Sequence, residues 1–160
     1  MSSVVIGCDP DSEKHGIAIY INGELVDLKN LTLPEIVFEL IDGLLVEYGR
    51  ENIQFSIENV CANNFTYSRN EGPKEKVQRK KSLNLGRCQQ SQTELMRMLD
   101  YLGIQYTLFK PQKGNWAETK NKNIFKLATK WKKRSNDDNR SAAFFGYLLI
   151  RQNKKNWERS

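Results

Sequence analysis

The sequence predicts an α/β domain with the element order β-β-β-α-β-α-β-α. Three observations carry this reading. Apolar strand segments open the chain and are punctuated by Asn22-Gly23, a dipeptide suited to a two-residue hairpin. From Pro34 the apolar residues recur at helical rather than strand spacing. Beyond that point strand-like and helix-like segments alternate to the end of the chain.

Val4 to Asp9 is a continuous apolar run that closes on Asp-Pro and reads as a central strand buried on both faces. Pro10 ends it, having no N–H for the ladder. Gly16 to Ile21 is a second strand, and Glu24 to Lys29 returns as a third after the Asn22-Gly23 turn. Ile36, Val37, Leu40, Ile41, Leu44, Leu45 and Tyr48 then mark a helix with Pro34 near its first turn and Gly49 as its stop. Ile53 to Val60 is the fourth strand. Residues 61–81 show no periodicity and many polar groups, so they read as a long loop, and loops of that length carry function or disorder. Leu83 to Leu102 is a long helix with Leu95, Met98, Leu99 and Leu102 on its apolar stripe and Gly103 as its cap. Ile104 to Phe109 is the fifth strand, stopped by Pro111. Residues 112–134 are Lys-rich and partly helical. A final helix begins near Asp137 and runs to about Gln152.

The 160 residues suit a single domain spanning 1–160. Seven Phe, six Tyr and three Trp can build a core, which excludes wholesale disorder. No stretch approaches the roughly 20 apolar residues of a membrane span, and the N-terminus lacks a signal-like segment. Cys8, Cys61 and Cys88 form no CxxC pair, so a reduced, cytoplasmic chain without a disulfide frame or Cys-based zinc site is expected. The net charge of +6 is unevenly distributed. Residues 1–60 hold eleven acidic residues against three basic, net −8, and residues 61–160 hold 22 basic against eight acidic, net +14. A carboxylate-rich first part and a basic second part suit a metal-dependent enzyme acting on a polyanion.

Three acids occupy positions where acids are costly. Asp9 ends an otherwise apolar strand. Glu58 lies in a strand beside Phe55, Ile57 and Val60, and strands disfavour Glu. Asp138 heads a helix whose stripe is Ala142, Phe145, Gly146 and Leu149, so helical spacing puts it on the core-facing side. Paired buried carboxylates stay ionised only with a cation between them. Oxygen ligands without nearby His or Cys suit Mg²⁺ or Mn²⁺. Taken singly, Asp9 is also a plausible turn residue before Pro10, and Asp137 and Asp138 are plausible helix caps.

Four short segments resemble the RuvC-type Holliday junction resolvases of the RNase H-like superfamily. Gly7-Cys8-Asp9-Pro10, with Gly16 a few residues on, is similar to their opening Gly-Ile-Asp-Pro-Gly turn. Ser56-Ile57-Glu58 is similar to their Ile-Glu strand, and Leu83-Asn84-Leu85-Gly86-Arg87 to their Leu-Lys-Leu-Gly-Gln segment. Asp138 to Ala142 stands at their final Asp-x-x-Asp-Ala. The chain departs from the pattern at Asp11, where the family has Gly, at Ser141, where its last acid is expected, and at Cys61, where it often has an aromatic. The resemblance implies an RNase H-like fold with a mixed five-stranded sheet and helices on both faces. It implies resolution of four-way DNA junctions by paired nicks, through two-metal phosphodiester hydrolysis with two Mg²⁺ or Mn²⁺ ions, by a homodimer. Asp9 would bridge the ions, Glu58 and Asp138 would each hold one, and Asp137 would help or substitute. His15, in a turn beside Lys14, is left without a direct role. The small size and divergence from the cellular pattern suit a phage-encoded enzyme acting in a bacterial host.

Phosphate contacts are expected from Lys74, Lys76, Arg79, Lys80 and Lys81 on the long loop, Arg87 near the start of the next helix, and Lys110 and Lys113 after the fifth strand. Phe65 and Tyr67, beside Arg69, are candidates for stacking on unpaired bases, and packing against the core is the equal alternative. Trp116, Trp131 and Trp157 read as core or interface. The Leu95/Met98/Leu99 stripe is either a dimer surface or ordinary core. Three other functions share these features. The first is an RNase H-like nuclease cutting RNA–DNA hybrids or branches, and the second a catalytically inactive junction-binding module. The third is a sugar-kinase-like nucleotide binder, disfavoured by the missing second phosphate loop.

Overall fold

A computed structural model describes residues 2–62 and 75–159, with the backbone alone for 75–78. Strands β1 (Val4–Asp9), β2 (His15–Ile21) and β3 (Glu24–Leu31) form an antiparallel meander. Asn22 and Gly23 both have positive φ, 52° and 84°, which is the two-residue turn whose twist matches the flanking strands. Strands β4 (Ile53–Glu58) and β5 (Gln105–Phe109) add parallel to β1, giving one mixed sheet in the order β3-β2-β1-β4-β5.

The two-residue alternation of strands assigns each side chain to a face. Val4, Ile6 and Cys8 of β1, Ile17 and Ile19 of β2, and Ile53, Phe55 and Ile57 of β4 point to one face. There they meet Ile36, Ile41 and Leu44 of the first helical segment, which runs from α1 (Leu33–Glu35) to α2 (Asp42–Tyr48), and Leu95 and Leu99 of α3 (Glu75–Leu102). Val5, Ala18 and Tyr20 point to the other face. They pack on Trp116, on Phe125 of α4 (Lys122–Thr129), and on Ala142, Phe145 and Leu149 of α5 (Asp137–Arg159). Helices therefore cover both faces, as expected. The first helical segment opens with a capping box in which Thr32 and Glu35 satisfy each other's backbone N–H. It passes through a π-helical stretch, Ile36–Ile41, before ending at Gly49.

The structure corrects the sequence reading at several points. The helix expected from Leu83 begins at Glu75, so Arg79, Lys80 and Lys81 lie on exposed helix rather than on a loop, and Arg87 is well inside the helix. Glu75 to Ser82 is rich in helix-forming residues, but Arg79, Lys80 and Lys81 face solvent. Periodicity reveals only helix that packs. For the same reason α5 continues seven residues past Gln152, through turns that are entirely exposed. Leu95 and Leu99 are fully buried against the sheet, so the stripe they define is core and not a dimer surface. Trp116 is core, Trp131 packs partly against the second cluster, and Trp157 is exposed. Among the described residues no helix is long and apolar enough to cross a membrane.

Candidate active site

In a parallel pair, neighbouring strands end side by side. Cys8 lies opposite Ile57 in the β1–β4 register, so the next residues, Asp9 and Glu58, become neighbours at the carboxyl ends of both strands. Alternation turns both toward the face covered by α5: Asp9 follows Val5 and Gly7, and Glu58 follows Ser56, whose hydroxyl donates to the Phe145 carbonyl at 2.5 Å.

α5 comes unusually close to this end of the sheet. A methyl group at Gly7 would lie 1.9 Å from the Ala142 carbonyl oxygen, and one at Gly16 would lie 2.2 Å from that of Asp138. Only glycine allows backbone to approach backbone so closely. The helix start is fixed by a reciprocal cap. Asn139 N–H donates to Asn136 Oδ1 and Asn136 N–H to Asn139 Oδ1, each at 2.9 Å. Asn30 on β3 accepts from the side-chain amides of both, at 2.9 and 3.1 Å. Asn136, rather than either aspartate, is thus the helix cap.

This geometry brings Asp9, Glu58 and Ser141 together. Burial, then the neighbouring Glu58 charge, pushes the Asp9 carboxyl up to about 9, while the Ser141 hydroxyl within hydrogen-bonding reach opposes the shift. Glu58 is also raised, chiefly by burial, with hydrogen bonds to Asp9 and Ser141 opposing. Asp138 is half-buried beside them and raised by burial, then by Asp11 and Asp137. Asp137 is placed differently. Its carboxylate is exposed and accepts from Arg140 Nη2 at 2.7 Å. Arg140, itself 4% exposed, also donates to the Trp116 and Ala117 carbonyls at 3.0 and 3.1 Å. It clamps the 115–117 loop onto α5.

Among the described residues no group of three or more His, Cys, Asp and Glu stands together as a metal site. The donor set that does converge is Asp9, Glu58 and the Ser141 hydroxyl, with Asp138 alongside. All are hard oxygen donors, and the repulsion of two desolvated carboxylates is what a divalent cation relieves. The residues therefore fit Mg²⁺ or Mn²⁺. His15 begins β2 rather than sitting in a turn. It is fully buried, its Nδ1 accepts the Asp11 N–H at 3.3 Å, and burial holds it neutral down to about 4. It braces the turn after Asp9 and stays neutral.

The strand carrying Glu58 is tied to α3 by a buried glutamine. Gln92 Nε2 donates to Asn59 Oδ1 at 2.9 Å, and Gln92 Oε1 accepts the Cys61 N–H at 3.2 Å. The first half of α3 carries exposed Arg79, Lys80, Lys81 and Arg87, and a cleft of about 320 Å³ is lined there by Lys80, Lys81, Leu83, Asn84 and Arg87. Exposed Lys110 and Lys113 follow the end of β5, where Phe109 pairs with Glu58. Phe65, Tyr67, Arg69 and Lys74, and the side chain of Lys76, lie outside the described residues. Sequence reasoning noted Ser141 only as a departure from a pattern. It missed Asn115, whose Nδ2 donates to Ser141 Oγ at 2.9 Å. Asn115 lies in a polar stretch without periodicity, which offers no signal.

No protein-family model and no curated protein sequence matches the chain. Solved structures do. A Thermus thermophilus RuvC structure is 13% identical with a TM-score of 0.54, covering 95% of this chain and 96% of that one. The T. thermophilus RuvC in complex with a Holliday junction substrate is 12% identical with a TM-score of 0.52, covering 90% of each. With a mixed sheet in this order, helices on both faces and a carboxylate pair at the ends of its parallel strands, the chain has the RuvC-type, RNase H-like fold.

Proposed function

We propose that this chain is a divalent-metal-dependent endonuclease that resolves four-way DNA junctions by paired nicks. The observation that carries the reading is the meeting of Asp9, Glu58 and the first turns of α5 at the carboxyl edge of β1 and β4, on a fold shared with a RuvC that is seen on a junction substrate. Asp9, Glu58 and Asp138 would hold Mg²⁺ or Mn²⁺, two ions per site. When bound, such ions acidify a water and stabilise the leaving oxygen of a phosphodiester.

The chain's own residues do the rest. Asp9 and Glu58 share a desolvated corner in which their charges repel, so a cation that displaces the Asp9 proton there relieves that repulsion. Ser141 gives the pair a hydrogen-bond donor without adding charge. Arg79, Lys80, Lys81 and Arg87 on α3, with Lys110 and Lys113 beyond β5, offer exposed cations to DNA phosphates. Asp137, held by Arg140, stands outside the pair and sets the Arg140 clamp. A homodimer would place two such sites on the opposed strands of a two-fold junction.

The test is cleavage of labelled junction, fork, RNA–DNA hybrid and single strand with Mg²⁺ and with Mn²⁺. Paired, symmetric nicks in the junction are expected. Preference for the hybrid or fork would assign the site to another RNase H-like nuclease. Tight junction binding with no cleavage under either metal would assign the chain to a binding module, the reading that the neutral Ser141 favours.

A further inference from the structure

Ser141 stands between a fixed hydrogen-bond donor and the two carboxylates of the site. A hydroxyl has one hydrogen to give and lone pairs to receive. On one side stand Asp9 and Glu58, whose carboxylates accept when ionised around a cation. On the other, Asn115 Nδ2 lies 2.9 Å from Ser141 Oγ. The amide cannot be turned over, because its Oδ1 accepts the backbone N–H of Ala117 at 2.9 Å, and a flip would set donor against donor. The Asn115 carbonyl is held in turn by Nδ2 of buried Asn121 at 3.0 Å. Arg140 fixes the carbonyls of the two following residues, Trp116 and Ala117. An irregular loop is thus locked to α5 with one amide aimed at one hydroxyl.

We propose that Asn115 is a positioning residue, directing the Ser141 hydroxyl hydrogen onto the Asp9 and Glu58 carboxylates so that their oxygens are oriented for a divalent cation. Without Asn115, a serine inside a helix has a competing partner. Its hydroxyl can swing back to the carbonyl four residues earlier, here that of Asp137. The carboxylates would then lose the donor that orders them. Groups that orient metal ligands through hydrogen bonds typically change metal affinity by 10–100-fold when removed. This inference rests on the metal-dependent reading above and extends it to a residue 26 positions from Ser141 in the chain.

The experiment is a double-mutant cycle on the full chain, read by Mn²⁺ affinity in an EPR titration and by thermal unfolding. Asn115→Ala is expected to weaken Mn²⁺ binding roughly tenfold where Ser141 is present. It is expected to have less than about a twofold effect in a Ser141→Ala background, because its route to the ion has gone. Ser141→Thr, which keeps the hydroxyl, should restore sensitivity to Asn115→Ala. Equal losses of affinity in both backgrounds, or a lower melting temperature with unchanged affinity, would make Asn115 a loop residue only and overturn the inference. If Asn115→Ala does not fold, Asn115→Asp is read in the same two backgrounds; it keeps the acceptor for Ala117 and exchanges the donor for a charged acceptor, and the Ser141→Ala background subtracts the effect of the added charge on the ion. A wild-type chain that binds no Mn²⁺ overturns the metal reading and this inference together. Wild-type binding that Asn115→Ala leaves intact overturns the inference alone.

Discussion

Gly16→Ala tests whether the close approach of α5 sets the site. A Cβ at Gly16 would stand 2.2 Å from the Asp138 carbonyl oxygen and 2.5 Å from its carbon, and ordinary contact begins at 3.4 Å. The first turn of α5 must therefore retreat by about 1.2 Å, the difference between 2.2 and 3.4 Å. The obstacle is backbone, in a helix start capped by Asn136 and tied to Asn30, so no side chain can swing aside. Overpacking of this kind costs about 1–3 kcal/mol. A displacement of about 1 Å in a reacting site costs on the order of a hundredfold in rate. Single-turnover cleavage of a junction with Mg²⁺ should fall about a hundredfold, and urea unfolding should show a loss of about 2 kcal/mol. Junction affinity should hold, because the basic residues lie elsewhere. Gly43→Ala is the control: nothing lies within 4 Å of its Cβ position, it sits in a helix, and it should stabilise by about 0.5–1 kcal/mol. Wild-type cleavage and stability in Gly16→Ala would refute the claim that glycine packing positions Asp138.

Asp9→Asn and Glu58→Gln should each lower cleavage by orders of magnitude while junction binding persists in a gel-shift assay; near wild-type cleavage in either would move the site elsewhere. The Asp9 carboxyl is pushed up from 3.8 to about 9, so between those values the folded chain keeps a proton that the unfolded chain releases. Its contribution to stability is greatest below about pH 4 and declines as pH rises toward 9. From pH 7 to 9, above the range where His15 titrates, the melting temperature of chelated protein should fall. Mn²⁺ should raise it most at the alkaline end, and Asn at position 9 should flatten the profile; a flat wild-type profile with no response to Mn²⁺ would refute this. Replacing Arg79, Lys80, Lys81 and Arg87 together by Ala should weaken binding to all DNA forms and reduce the salt slope by about 0.9 per lost phosphate contact on duplex. An unchanged slope would leave those residues as a solubilising face.

Much of this molecule is written locally in its chain. Strands and helices that bury a face announce it by spacing, which is why β1 to β5 and the packed parts of α3 and α5 are legible from sequence. Asp9 and Glu58 stand out for the same reason, as acids in segments otherwise meant for a core. Helix whose side chains stay exposed carries no such mark, so the stretch of α3 from Arg79 to Lys81 and the last turns of α5 emerge only in three dimensions. Helical spacing already turns Asp138 rather than Asp137 toward the core, but how near it comes to Asp9 belongs to the tertiary structure. Adjacent helical residues point about 100° apart, and Gly7 and Gly16 set how closely the helix settles on the sheet. The Asn115–Ser141 contact is decided at the same level. It joins residues on a loop and a helix through a path held by Arg140 and Asn121, and no periodicity or local propensity encodes where that loop must pass.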